Sequence, residues 1–513
     1  MSQQLDPATT SVVPLGERVD GLPEDVVIRQ LYLGCLSQAS YLVGDARTGR
    51  AIAVDPRRDV SEMLAAAEAE GLTIELVVQT HFHADFLSGH LELAAATGAE
   101  IAYGSVARTE FPSRSLADGE VIDLGDGSGA GVHIEVWHTP GHTPESISLL
   151  VRPAADAAPV AVLTGDALFI GDVGRPDLLA SLGATADDLG RSLYASLEHL
   201  LELPDAALVL PAHGAGSACG KALSTETVST IGEQRRTNYA LQAIASPDVS
   251  VDDFVAMVTE DQPAAPAYFV AAAVGNRKDR PILDEDAPVP VLDLAAVDAA
   301  RAEGAVIVDL RPTEEVARGY LAGSVAVGLG GRFAEQVGSV VPVGSPVVLV
   351  GPSADDPREA HEAVVRLSRI GFDDVVGVLP DIDAVLADHP DRAARLSRLT
   401  AEELADRRST LGDDVQVVDV RNSGEVHASP LDGTAGEGAR NLPLASLRSQ
   451  MDQLDPGRPV VAVCAGGARS AIAATLLASE GFTDVSDVLG GAGALGVAAT
   501  CSISAPCPTG SLL

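Results

Sequence analysis

Four short groups of histidine and aspartate punctuate the first part of the chain. They are Thr80-His81-Phe82-His83-Ala84-Asp85, His138-Thr139-Pro140-Gly141-His142-Thr143-Pro144, Leu163-Thr164-Gly165-Asp166 and Pro211-Ala212-His213-Gly214. Each follows a predicted strand, so the groups lie in loops that converge over one sheet edge. Imidazoles and carboxylates gathered this way suit a first-row transition metal. One His-x-His pair is within the reach of chance, but four such groups in order are not. A fifth group, Val463-Cys464-Ala465-Gly466-Gly467-Ala468-Arg469-Ser470, follows an apolar strand and opens a helix. A cysteine there faces loop N–H groups and the positive end of the helix dipole, which favours a thiolate and an anionic persulfide. Ser470 is expected to cap the helix.

The elements that must position these groups are short. A strand pair is predicted over Tyr32–Val43, a strand over Ala51–Val54, a helix over Val60–Glu70 and a strand over Ile74–Gln79. Apolar strands then alternate with Gly/Asp turns to about residue 214, and Thr230–Ile244 reads as helical. Pro263–Pro290 holds several prolines and no sustained periodicity, which predicts a linker. Beyond it the chain repeats itself. Val308-Asp309-Leu310-Arg311 with Glu315 matches Val418-Asp419-Val420-Arg421 with Glu425, and Gly371-Phe372 matches Gly481-Phe482. Each copy runs strand, helix, strand, helix, the pattern of a parallel α/β domain. The expected organisation is an N-terminal extension (1–28), a metal domain (29–262), the linker (263–290), two repeat domains (291–396 and 397–500) and a tail (501–513).

Together the metal groups resemble the metallo-β-lactamase superfamily, which implies an αββα sandwich. The superfamily pattern continues with a histidine after Asp85, where this chain has Phe86. In two-metal hydrolases that histidine helps to hold the second ion, so a phenyl ring argues against a two-zinc hydrolase. Asp166-Ala167-Leu168-Phe169-Ile170-Gly171-Asp172-Val173-Gly174-Arg175-Pro176-Asp177 and Ala212–Gly220 resemble the persulfide dioxygenase branch. The resemblance implies one Fe(II) per chain, held by His81, His142 and Asp166, with positions left for substrate sulfur and O2. His83, Asp85 and His213 would then orient those ligands and relay protons. His90 and His138 are given no role. The implied reaction is oxidation of a low-molecular-weight thiol persulfide by O2 to sulfite and thiol. Arg175 is a candidate for the anionic part of the thiol carrier, or else a loop brace. Cys219 is a candidate sulfur carrier, or else a packed thiol.

The cysteine loop resembles the rhodanese active site, which implies sulfur transfer at Cys464, assisted by Arg469, with thiosulfate or sulfite as partner molecules. Asp419 and Arg421 are expected to brace the fold. In the first copy Gly351 stands at the position of Cys464, so that copy reads as rhodanese-like but degenerate. The fold expected for the whole is α/β multidomain, a metallo-β-lactamase sandwich followed by two rhodanese-like α/β domains. The alternative reading is a zinc-dependent thioester hydrolase of the glyoxalase type with an attached sulfurtransferase.

Composition sets the remaining bounds. The chain has 513 residues, 46% hydrophobic content and a formal net charge of −39. Such a charge repels nucleic acid and anionic membranes, so neither is expected as a partner. An anionic substrate would need a local positive site. Five cysteines in a long chain do not read as a disulfide framework. Cys35 is expected in a core, and Cys501 and Cys507 in the tail. With no apolar run long enough for a membrane span and no signal-peptide pattern, the expected location is cytoplasmic. This leaves room for a homo-oligomer.

Overall fold

The computed structural model describes residues 15–178, 184–221, 223–351, 357–431 and 438–495. Cys501, Cys507 and most of the loop after Gly351 lie outside the described residues. Contacts divide the chain into two compact units: residues 1–306 with 329–380, and residues 307–328 with 381–513.

The first unit holds two packed sheets. One lines up β1 (Glu17–Arg18), β2 (Val26–Leu33), β3 (Gln38–Asp45), β4 (Arg50–Val54), β5 (Thr73–Val78), β6 (Glu100–Gly104) and β7 (Arg114–Leu116) in chain order. The other lines up β8 (Val121–Asp123), β9 (Ala130–His138), β10 (Ile147–Ala154), β11 (Ala161–Gly165), β12 (Leu208–Pro211) and β13 (Ser229–Thr230), also in chain order. Alternation within the strands decides which face meets which layer. Ile52 and Val54 of β4 join Ile134 and Val136 of β9 and Leu149 and Val151 of β10 between the sheets. Ala51 and Ala53, one residue out of phase, pack outward with Met63 and Ala66 of the helix Ser61–Glu70. On the far face Val162 and Val209 meet Leu193 and Leu197 of the helix Ala186–Leu200 and Phe254 of the helix Val251–Thr259. The result is the expected αββα sandwich, with β3, β4 and β11 buried almost throughout.

Two expectations are corrected. The stretch read as a linker carries a helix, Tyr268–Gly275, in which Tyr268, Phe269, Ala272 and Ala273 are buried. Its apolar residues form one short patch rather than a long period, so periodicity missed it. Cys35 lies in the turn between β2 and β3, partly exposed, with Sγ 3.9 Å from Nη1 of Arg369.

The second unit is built on a five-stranded parallel sheet in the order Ser397–Leu399, Val485–Val488, Val460–Val463, Gln416–Asp419, Arg440–Asn441. The internal repeat is visible in side-chain geometry. Arg421 donates to both carboxylate oxygens of Asp419 and to the Ser429 carbonyl; Arg311 donates to both oxygens of Asp309 and to the Gly319 carbonyl. Both pairs are buried and join the end of a strand to the turn that follows. Among the described residues no helix is long and apolar enough to cross a membrane.

Candidate metal centre and cysteine loop

The four histidine–aspartate groups meet at one end of the sandwich. Thr80–Gly89 follows β5, His142 follows β9, Asp166 follows β11 and His213 follows β12. Two glycines let the loops close. Gly165 has φ +52, and a Cβ there would meet Thr80 Oγ1 at 2.8 Å. A Cβ at Gly174 would fall 1.9 Å from the Asp166 carbonyl oxygen, so that approach admits only glycine.

One ligand-capable atom each of His81, His142 and Asp166 lies within 4.8 Å of the others, and all three residues are buried. Asp166 Oδ2 is 3.7 Å from His81 Nε2 and 3.5 Å from His142 Nε2. These separations exceed a good hydrogen bond, and neither His81 Nε2 nor Asp166 Oδ2 has a hydrogen-bond partner. Leaving such buried atoms unsatisfied costs about 1–3 kcal/mol each. A cation among them removes that cost, so the residues present fit a metal ion.

The surroundings point each lone pair inward. Thr80 Oγ1 donates to Asp55 Oδ2 (2.7 Å) and lies 3.0 Å from His81 Nδ1. Nδ1 of His81 therefore carries the proton, which leaves Nε2 bare. Nδ1 of His142 lies 3.0 Å from the Arg175 carbonyl oxygen, with the same consequence. Asp55, a non-glycine residue at φ +48, also accepts from the Thr80 amide at 2.8 Å. Glu145 Oε1 accepts from the Phe82 amide at 3.0 Å.

Charge follows geometry. Burial, with the His83 ring second, holds His81 well below the usual histidine range. Burial also lowers His142, against the pull of Asp166. Burial alone would raise Asp166, but His213, His81 and His142 hold it far below the usual carboxylate range. Burial would also lower His213, but Asp166 and Asp85 hold it well above its usual range.

His83, Asp85 and His213 form a second buried trio within the same 4.8 Å criterion. His213 Nε2 is 2.7 Å from Asp85 Oδ2, and His83 Nε2 is 3.0 Å from Asp55 Oδ1, although neither pair is aligned as a hydrogen bond. The Phe86 ring packs against His83 at a tilt of 41°, with centroids 4.4 Å apart. Cys219 joins Asp166 and His213 in a third trio. Burial, then the Asp85 and Asp166 carboxylates, keep its thiol protonated. Arg175 is buried, and its guanidinium is taken up by Asp177 (2.6 and 2.9 Å) and the carbonyls of Ala218 and Pro263. His90 belongs to none of these trios; it is buried beside Tyr103 and Phe111.

In the other unit Cys464 ends the strand Val460–Val463 and is buried. The Gly467 amide donates to its Sγ at 3.1 Å, and Ser470 Oγ lies 3.4 Å from it. Gly467, at φ +102, rather than Ser470, occupies the N-cap of the helix Ala468–Ser479. Ser470 sits in the first turn because the loop closes one residue before Ala468. Arg469 is bound by both nitrogens to Glu425, at 2.6 and 2.7 Å. Sequence reasoning missed Asp55, Thr80, Glu145, Tyr268 and Asn276. Only Thr80 and Glu145, adjoining the motifs, carried a local signal.

Comparison with known proteins agrees with this geometry. The metallo-beta-lactamase superfamily pattern matches residues 33–213, and the rhodanese-like domain pattern matches residues 400–495. A solved metallo-beta-lactamase from Staphylococcus aureus subsp. aureus COL is 32% identical, with a TM-score of 0.61 over 70% of this chain and 100% of that one. Hydroxyacylglutathione hydrolase of Polaromonas sp. is 32% identical over 195 residues, 37% of this chain and 66% of its own length. Persulfide dioxygenase ETHE1, mitochondrial, of Bos taurus is 29% identical over 233 residues, 44% of this chain and 81% of its own length. With a buried His/Asp site at the loop end of an αββα sandwich and a cysteine loop later in the sequence, the chain belongs to the metallo-β-lactamase superfamily and carries a C-terminal rhodanese-like domain.

Proposed function

We propose that the chain is an iron-dependent persulfide dioxygenase joined to a rhodanese sulfurtransferase. It takes a small thiol persulfide, O2 and water to the free thiol and sulfite, with release of two protons. The observation that carries this reading is the Phe86 ring against His83, beside the compact trio His81, His142 and Asp166. An aromatic ring stands where a second ion would draw a ligand, while three donors for one ion are kept.

In this reading His81, His142 and Asp166 hold one Fe(II). When bound, the ion would supply the redox and Lewis-acid chemistry that lets a persulfide react with O2. The protein's own groups do the rest. Asp55 through Thr80, and the Arg175 carbonyl, fix the tautomers of His81 and His142. His213, hydrogen-bonded at 2.7 Å to Asp166 Oδ1, leaves Oδ2 as the single donor of that carboxylate. In this reading His83, Asp85 and His213 pass on the protons that the reaction releases. Phe86 beside His83 and Phe169 near His213, both buried, keep bulk water from the centre in this reading. Arg175 acts through its carbonyl and its loop, and Cys219 lines the centre as a neutral thiol.

At the second centre the Cys464 thiolate attacks the outer sulfur of thiosulfate and releases sulfite. The enzyme persulfide then gives that sulfur to a small thiol, regenerating the thiolate. The Gly467 amide stabilises the sulfur anion. The two centres share a diffusible persulfide and sulfite, as expected of a cytoplasmic sulfur-handling enzyme.

A second reading, a zinc-dependent thioester hydrolase, is favoured by the trio His83, Asp85 and His213 and by the likeness to hydroxyacylglutathione hydrolase. Elemental analysis of protein made with iron and zinc both supplied separates the two. One iron per chain is expected, and two tightly held zincs would overturn the dioxygenase reading.

A further inference from the structure

The loop Thr80–Gly89 carries His81, His83 and Asp85, yet after Thr80 it belongs to no strand or helix until His90. Its backbone polar groups are buried and need partners from elsewhere. Asn276 supplies three. Its Nδ2 donates to the carbonyls of His83 and Phe86, each at 2.8 Å, and its Oδ1 accepts from the Ser88 amide at 2.8 Å. Tyr268 Oη donates to the Asp85 carbonyl at 3.0 Å. On the same stretch the Leu87 amide donates to the Arg369 carbonyl at 2.7 Å. Asn276 and Tyr268 are each 1% exposed. Both lie beyond residue 213, where the superfamily match ends.

We infer that Asn276 is a positioning residue for the metal centre, with Tyr268 as its adjunct: the arm after the sandwich fixes the conformation of the ligand-bearing loop. The inference rests on the reading of His81, His142 and Asp166 as ligands. The chemistry of Asn276 is specific. Two carbonyls and one amide converge on it, so only a side chain with two N–H donors and one acceptor satisfies all three. Aspartate has the same shape but would set a carboxylate oxygen against two carbonyl oxygens. Asn276→Asp should therefore shift the loop without opening a cavity.

Co(II) alone is the probe, because its binding and ligand-field absorption report the site whether or not the protein oxygenates a persulfide. In the full chain, Asn276→Asp is expected to weaken Co(II) affinity on the order of tenfold to a hundredfold and to alter the visible band pattern. Tyr268→Phe, which removes one hydrogen bond, should give a smaller shift in the same direction, and it serves if Asn276→Asp does not fold. Asp45→Asn is the control: Asp45 accepts from the amides of Arg47, Thr48 and Val132 at the ends of β3 and β9, away from the metal loops. It should lower thermal stability and leave Co(II) affinity and spectrum as in the parent. Parent-like affinity and spectrum in both arm variants would overturn the inference alone. So would an equal loss of affinity in Asp45→Asn. A parent chain that binds no Co(II) would overturn the metal-centre reading, and this inference with it.

Discussion

Asp166 and His213 share a hydrogen bond of 2.7 Å between Oδ1 and Nδ1, and the remaining Asp166 oxygen faces His81 and His142 without a partner. In the proposed reading that second oxygen is left for the ion, as His81 Nε2 and His142 Nε2 are. Each of three ligands then carries a large share of the metal affinity. Asp166→Ala and His142→Ala are expected to lose bound iron and oxygen consumption while keeping the far-UV circular dichroism of the parent. Parent-level oxygen uptake in an iron-free His142→Ala protein would refute the ligand assignment.

Sulfur transfer should separate from oxygenation at one atom. Cys464 receives the Gly467 amide at 3.1 Å, and a serine hydroxyl there cannot carry a stable persulfide. Cys464→Ser is expected to abolish thiosulfate:thiol sulfur transfer and to leave oxygenation of added persulfide unchanged. Cys219→Ser should leave sulfur transfer intact, since burial and two carboxylates keep that thiol protonated. If the two variants exchange these phenotypes, the sulfur-carrying cysteine has been misassigned.

His90 gives a pH dependence of stability. Burial first, then the positive charge of Arg280 with the neighbouring His83 and Arg58, holds it well below the ordinary histidine range. Its two ring nitrogens have no hydrogen-bond partner. A folded value below the unfolded one means that the unfolded chain takes up a proton the native state refuses. Stability should therefore fall as pH drops below about 6.5, with a slope approaching about 1.4 kcal/mol per pH unit. His90→Phe removes that contribution. Urea unfolding at pH 7.5 and 5.5 should show the variant losing less stability than the parent on acidification. Equal losses would contradict this account of His90.

Much of this was legible in the residues. The motif histidines and aspartates announce themselves because ligands must be of few types, and strand ends are marked by apolar alternation. Phe86 was legible as a departure from a pattern. Arg175 and Arg469 were legible as cations but not as paired ones. Their partners are Asp177, two positions away in sequence, and Glu425, which lies far off in the sequence and reaches Arg469 only through folding. Asp55 and Asn276 were not legible, because each works on groups brought near only by the fold: the Thr80 amide and hydroxyl for Asp55, loop backbone groups for Asn276. Tyr268–Gly275 was hidden by flanking prolines and a patch too short to show a helical period.

The central claim is that the buried trio at the end of the sandwich performs oxygenation of a persulfide. The direct measurement is oxygen uptake by the iron-loaded full chain given a glutathione persulfide, run beside hydrolysis of a glutathione thioester by the same preparation. One O2 is expected to be consumed for each sulfite formed, with negligible thioester hydrolysis. Rapid thioester hydrolysis with no oxygen uptake would contradict it.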